Sequence, residues 1–168
     1  MNRSIEELKI RAKRLHKSVN AGEPAALARI RKLRSSGLEV RRKTCLNGLA
    51  MEMGFREWGH AKSVLSGENW QEPDKGTLWY SARCGALLNI WFADYKEARR
   101  CLIENPEYYL LPYKNQFIVV DDNYLKVIGL GEDCQDEWTI LGHDLIDGFG
   151  SLEWHHLVWK RISNLRNA

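Results

Sequence analysis

The first twenty residues repeat apolar and charged positions with the period of an α-helix. Apolar side chains recur at spacings of three and four, at Ile5, Leu8, Ala12, Leu15 and Val19. Such spacing forms one apolar stripe along a helix. Ser4 and Glu7 have the spacing of a capping box, in which the serine oxygen accepts from the glutamate N–H and the glutamate reaches back. The pattern predicts an amphipathic helix capped by Ser4.

Three further helices are predicted before residue 66. Pro24 suits the first turn of a second helix, which Gly37 would end. Thr44 is the expected N-cap of a third helix, which ends at Gly54. The apolar face of a fourth helix follows, with Phe55, Trp58, Ala61 and Leu65. The pattern therefore predicts an N-terminal helical bundle of three to four helices.

The second half alternates strand and helix patterns. Apolar runs at residues 87–92, 108–111 and 117–120 favour strands, and the last two flank a turn with Pro112 and Asn115. Asp94 and Glu97 form a capping box for a helix to Ile103. Two later helices are predicted: a short one capped by Asp122 or Asn123 and ended by Gly129, and one over residues 152–165 that should cover one face of the sheet. The fold class expected is α+β, a basic helical bundle followed by a small α+β domain.

The net charge of +3 is distributed unevenly along the chain. Residues 1–66 hold 15 Lys and Arg against 6 Asp and Glu, whereas residues 67–168 hold 10 against 16. The break falls in a stretch with glycines and a proline and without periodicity, which is typical of a linker. We therefore predict a basic helical domain at 1–66, a linker at 67–77 and an acidic α+β domain at 78–168. The basic domain is the part expected to meet a polyanion.

The stretch LAMEMGFREWGHA, residues 49–61, has two interpretations. A small residue at Ala50 and a glycine at Gly54 fit a DNA-binding helix-turn-helix. The next inward offsets of that motif, however, fall on His60 and Ser63, and Gly59 weakens the helix by about 1 kcal/mol relative to alanine. We favour a plain helical hairpin in which Trp58 fills the core. In a helix-turn-helix the exposed reading residues would be Arg56, Glu57, His60, Lys62 and Ser63.

Basic side chains on the predicted outer faces are the candidate nucleic-acid contacts. These residues are Lys9, Lys13, Lys17, Arg31, Arg41, Arg42, Lys43, Arg56, His60 and Lys62. Lysine and arginine would contact phosphates, and the release of counterions would drive binding. The competing interpretation is a solvated helix surface with no ligand.

Other chemistry is sparsely encoded. The four cysteines are widely spaced and form no CxxC pair, so no zinc or redox motif is present. The adjacent His155 and His156 would point in different directions on a helix, which disfavours a metal site. Cys84 or Cys101 could pair with a distant histidine as a nucleophile, but neither has a supporting signature. We expect no metal, no cofactor and no enzymatic activity.

Residues 1–66 also resemble a known module. The sequence Leu8-Lys9, Ala12 to Leu15, Ala50 and the Gly-Phe-Arg-x-Trp motif of residues 54–58 are similar to a small helical module of bacterial proteins. Versions of that module are labelled as belonging to the glyoxalase superfamily or precede ankyrin repeats. The resemblance implies a helical unit but not glyoxalase chemistry, because the metal ligands of that chemistry cannot be placed here. Residues 78–168 resemble bacterial proteins of unknown function, which implies no activity.

Two classes of partner follow from these observations. The first is a nucleic acid bound by the basic helical module, with the α+β domain as a sensor or partner-binding unit in a cytoplasmic regulatory protein. The second is a protein partner, as for an antitoxin-like, immunity or adaptor protein, because seven tryptophans are available for interface contacts. No apolar run approaches the ~20 residues of a membrane helix, so no membrane association is expected.

Overall fold

A computed structural model describes residues 2–32 and 40–165 of the chain. The helices and strands, in chain order, are α1 Arg3–Asn20, α2 Pro24–Lys32, α3 Arg42–Glu52, α4 Trp58–Leu65, β1 Asn89–Phe92, α5 Tyr95–Glu104, β2 Tyr109–Tyr113, β3 Gln116–Val120, α6 Asp122–Ile128, α7 Gln135–Ile140 and α8 Leu152–Asn164. A helical N-terminal region followed by three antiparallel strands with helices confirms the α+β class. The predicted end of the second helix at Gly37 lies outside the described residues.

The apolar stripe of α1 is buried as predicted, but the helix caps differ from the prediction. Asn2, not Ser4, caps α1, and its side-chain oxygen accepts from the N–H of Ile5 at 3.1 Å. α3 begins at Arg42 after Arg41, two residues before the predicted cap Thr44, and no side chain caps it. At α1, Asn2 and Ser4 can both cap the helix, and tertiary packing selects between them. At α3, the helix begins before the capping residue that the sequence offers, and helix ends often differ by one or two residues from the pattern.

The turn between α3 and α4 needs a glycine. Gly54 has a φ of +88°, which an L side chain rarely adopts, and its carbonyl accepts from the N–H of Thr77 at 2.9 Å. Phe55 is buried in this turn, and α4 begins only at Trp58. The prediction that Trp58 fills the core is therefore wrong. Phe55 fills it, while Trp58 is half-buried and packs at the edge of the core.

The three strands form a sheet in the order β1-β3-β2, with both pairs antiparallel. Leu110 and Val119, which pair across β2 and β3, face α5 in one apolar cluster. Leu111 and Ile118 face the opposite way and belong to the main core, which also contains residues of α6, α7 and α8. α8 thus contributes to the layer on the second face of the sheet, together with two other helices.

Helix starts in the second half were predicted with mixed success. Asp94 caps α5 as predicted, accepting from the N–H groups of Lys96 and Glu97. The short helix α6 is capped by Asp121 rather than Asp122 or Asn123, and it ends at Gly129 as predicted. α7 was not predicted, because its six residues give too little periodicity.

The hydrophobic core is continuous across the predicted linker. Ile5 and Leu8 of α1 lie in the same buried cluster as Leu78, Trp154 and Leu157. Residues 67–77 also pack on the α3–α4 turn, as the hydrogen bond from residue 77 shows. The division into two domains stays a prediction, but the two parts share packed side chains. Across the described part of the chain, no helix has both the length and the apolar character that crossing a bilayer requires.

Candidate functional site

Lys9, Lys13 and Lys17 form a row along one side of α1. Their spacing of four residues stacks them on successive turns. Lys13 and Lys17 are exposed, whereas Lys9 is half-buried and pairs with Glu6 at 2.6 Å. The structure therefore brings these three predicted residues together, with one of the three charges already compensated.

The start of α3 carries the next three predicted residues, Arg41, Arg42 and Lys43. All three are exposed. The first turn of α3 has no acidic residue and no side-chain cap, although a helix N-terminus carries a partial positive charge that favours anions. A ring nitrogen of His16 on α1 lies 3.1 Å from the carbonyl oxygen of Val40, which places this run beside the lysine row. We call the six residues Lys9, Lys13, Lys17, Arg41, Arg42 and Lys43 the α1–α3 basic surface.

Arg31 lies apart from that surface. It is exposed in the last turn of α2, together with Arg29 and Lys32. Basic residues there stabilise the negative end of the helix dipole, and Arg29 also forms an ion pair with Glu52 of α3. No contact among the described residues joins Arg31 to the α1–α3 basic surface.

The α3–α4 turn does not offer the predicted reading surface. His60 is only 6% exposed, so the prediction that it is an exposed reader is wrong. Nδ1 of His60 accepts from the backbone N–H of Arg56 at 3.1 Å, and Nε2 of His60 lies 2.6 Å from the carbonyl oxygen of Asp74. The Arg56 side chain is 64% exposed but lies 3.5 Å from Glu72 and 3.4 Å from Asp74.

Lys62 remains as the exposed predicted residue of α4. His60 and Val64 are both buried at a spacing of four, together with Ala61 and Leu65. This spacing is present in the sequence, where residue 60 falls at a position that a helix-turn-helix directs inward. Because Asp74 contacts His60 and the carboxylates of Glu72 and Asp74 compensate Arg56, the turn is a structural corner of the fold.

A pocket with several polar side chains in its wall lies where the start of α1 meets α8. It encloses about 430 Å³ and is lined by Arg3, Ser4, Glu68, His155, His156 and Trp159. We call it the α1–α8 pocket. The sequence analysis considered its histidines only as metal ligands and Ser4 only as a cap, so this grouping was missed. No motif could have indicated it, because it joins residues about 150 positions apart.

Histidine, cysteine and carboxylate side chains form no metal-binding cluster among the described residues. Within residues 2–32 and 40–165, no group of three or more of them is placed to hold a metal ion. Burial raises the pKa of the Cys84 thiol, and burial likewise raises the pKa of Cys101. Both thiols are therefore protonated at neutral pH, whereas a nucleophilic cysteine requires the thiolate.

A buried carboxylate, Asp144, is held by four donors. It accepts from the Tyr95 hydroxyl at 2.8 Å, from Arg99 at 2.6 Å and from two backbone N–H groups of its own loop. Burial, followed by the hydrogen bond to Asp144, raises the pKa of Tyr95 to about 12. The phenol thus stays protonated at neutral pH, and the network joins α5 to the loop after α7.

Comparison with known proteins gives no relative: no protein-family model, no curated protein and no solved structure matches this chain. The similarity of residues 1–66 to the bacterial helical module stays an expectation from the Gly-Phe-Arg-x-Trp sequence. Function is therefore inferred from the geometry of the described residues.

Proposed function

We propose that this protein binds nucleic acid through phosphate contacts made by the α1–α3 basic surface. The observation that carries the proposal is the start of α3. Arg42 and Lys43 place two exposed cations in the first turn of α3. Each disfavours the fold by about 0.3–1 kcal/mol at the positive end of the helix dipole. A bound phosphate would convert that repulsion into attraction, since its charge is complementary to both the dipole and the side chains.

The neighbouring lysine row extends the same charge. Lys13 and Lys17 are exposed beside the start of α3, so a phosphate backbone that contacts α3 would also reach α1. The α3–α4 corner supplies no reading helix, because its arginine is paired and its histidine is buried. Binding through phosphates alone predicts little preference for base sequence.

A salt series with duplex DNA and structured RNA tests the proposal. The double variant Lys13→Gln, Lys17→Gln should weaken binding and reduce the slope of log K against log salt by about 2 units. The matched control is Lys96→Gln, Arg100→Gln, because these residues are exposed at the same spacing on α5. Failure to bind at low salt, binding that ignores salt, or an equal loss in the control would refute the proposal.

A protein partner is the second candidate, favoured by the edge strand β1. β1 pairs with β3 and with no other described strand, and its Ile90 and Trp91 are exposed. No charged residue lies between Gly85 and Ala93, although natural sheets usually protect an open edge with charge. A partner that adds a strand at this edge should be lost in Ile90→Lys, measured by affinity purification. Recovery of one stoichiometric protein without nucleic acid, absent in Ile90→Lys, would favour this function over the first.

A further inference from the structure

The hydroxyl of Ser4 faces the α1–α8 pocket without a hydrogen-bond partner. Ser4 is 2% exposed and lines the pocket, and no described residue accepts from it or donates to it. It does not act as the helix cap, because Asn2 has that role. Among the described residues, the one side-chain polar atom that is both fully enclosed and unpaired is Nε1 of Trp154. The Ser4 oxygen therefore keeps some access to the pocket, where water or a ligand can supply its partner. Ser66, in the wall of the same pocket, shows the contrast: its hydroxyl donates to Ser63 and accepts from Glu68.

Two residues that line the pocket also have unpaired backbone N–H groups. The Asn2 side chain accepts from Ile5, and its carbonyl oxygen accepts from Glu6. The first-turn N–H groups of Arg3 and Ser4 have no acceptor among the described residues. α1 is 18 residues long, so its N-terminus carries the full partial positive charge of a helix dipole. Unpaired N–H groups at such an end bind oxyanions.

Arg3 adds a full positive charge at the pocket. Its guanidinium lies 3.8 Å from the ring centroid of Trp159, a cation–π contact that holds it against the pocket wall. Burial, followed by the charge of His156, lowers the pKa of His155. At neutral pH the His155 ring is thus an uncharged hydrogen-bonding group, and Arg3 supplies the cationic charge. Glu68 also lines the pocket, and its negative charge disfavours a ligand that is anionic along its whole length.

We propose that the α1–α8 pocket binds a small molecule that carries one phosphate monoester. The phosphate lies at the first turn of α1, where Ser4 donates its hydroxyl and its backbone N–H and Arg3 provides charge. The volume of about 430 Å³ exceeds that of a phosphate and falls in the range of ligand sites. The uncharged remainder of the ligand extends past Trp159 toward His155. This binding is separate from the proposed nucleic-acid contact, which uses other residues of α1.

Calorimetry and thermal unfolding of the full chain test the proposal, with inorganic phosphate and ribose 5-phosphate as probes and ribose as the uncharged control. Both phosphates should bind and raise the unfolding temperature, and ribose should do neither. Ser4→Ala and Arg3→Gln should each weaken binding about tenfold, as expected for one hydrogen bond to a charged group. Arg14→Gln is the matched control, because it removes the same charge from an exposed position further along α1.

Ser4→Ala also separates ligand binding from folding. Because the hydroxyl has no partner in the chain, the ligand-free variant should unfold at the same temperature as the parent or above it. A lower temperature would show that the hydroxyl is already bonded within the protein and would overturn the proposal. It would also be overturned by absence of binding at millimolar phosphate, by unchanged affinity in Ser4→Ala and Arg3→Gln, or by an equal loss in Arg14→Gln.

Discussion

Gly54→Ala tests the geometry of the α3–α4 turn. Alanine at a φ of +88° is strained by about 1–2 kcal/mol. Its Cβ would also overlap Oγ1 of Thr77 and lie 2.9 Å from the Thr77 carbonyl carbon, a backbone atom that cannot rotate away. Overpacking of this kind costs about 1–3 kcal/mol. We therefore expect Gly54→Ala to lower the free energy of unfolding by about 2–5 kcal/mol, measured by urea denaturation with circular dichroism and tryptophan fluorescence.

Gly22→Ala separates the cost of the strained backbone conformation from the cost of the steric overlap. Gly22 has a φ of +75°, but a Cβ there would meet no atom within 4 Å. It should lose only the conformational part, about 1–2 kcal/mol. Thr77→Ala combined with Gly54→Ala should recover part of the loss, because the Oγ1 overlap disappears while the backbone contact remains. If Gly54→Ala and Gly22→Ala had equal effects, or if the double variant recovered everything, the packing of residue 77 on this turn would not be as described.

Three further predictions concern burial and charge, and each is tested by urea unfolding. Phe55→Ala should lower the free energy of unfolding by about 3–5 kcal/mol, and Trp58→Ala should lower it clearly less, because only the phenylalanine is fully buried. A larger loss in Trp58→Ala than in Phe55→Ala would identify Trp58 as the core residue. Asp144→Asn should lower the free energy of unfolding by about 2–4 kcal/mol, because the new amide N–H group would face the donors that the carboxylate accepts from. The side chain of Asp147 is 69% exposed, so Asp147→Asn should change the stability by no more than about 0.5 kcal/mol. Equal losses in the two variants would show that Asp144 is not held in a buried network. His155 has a folded pKa below its ordinary 6.5, so the unfolded chain binds its proton more readily and stability falls as the pH drops through about 6.5. His155→Gln should therefore lose less stability than the parent between neutral and mildly acidic pH, and an unchanged difference would contradict that pKa direction.

Local sequence patterns predicted a helix or strand well wherever a single residue could fill a given position, such as the N-cap. The stripe of α1 and the Asp94 cap of α5 were read directly from spacing, as was the hairpin of β2 and β3. Caps failed where neighbours competed, as with Asn2 against Ser4. Both of these side chains can accept a first-turn N–H, and the choice between them depends on a distant contact. The Asn2 amide, for example, donates to the Leu65 carbonyl oxygen at 2.5 Å, which no local pattern contains.

The candidate sites were less predictable, because burial of polar residues is a long-range property. His60 is exposed on an isolated helix, and it becomes buried because Asp74 and its neighbours fold back over α4. Arg56 likewise loses its free charge to carboxylates of the segment that was predicted to be a linker. The basic surface was more accessible to sequence analysis, since the lysine row follows from helical spacing alone. Its proximity to the start of α3 required the contact between His16 and residue 40.

α1 contributes to both proposed sites, and its length separates them. Ser4 and Lys13 are nine residues apart, about 14 Å at 1.5 Å per residue, while charges are screened over roughly 8 Å at physiological ionic strength. A phosphate at Ser4 therefore changes the potential at Lys13 only slightly. Lys9 is closer, about 7.5 Å from Ser4 along the axis, but its charge is already paired with Glu6. Coupling between the pocket and the exposed lysines Lys13 and Lys17 would therefore pass through the packing of α1. That packing includes α3 at the basic surface and α8 at the pocket, and each of the two helices shares a buried apolar cluster with α1.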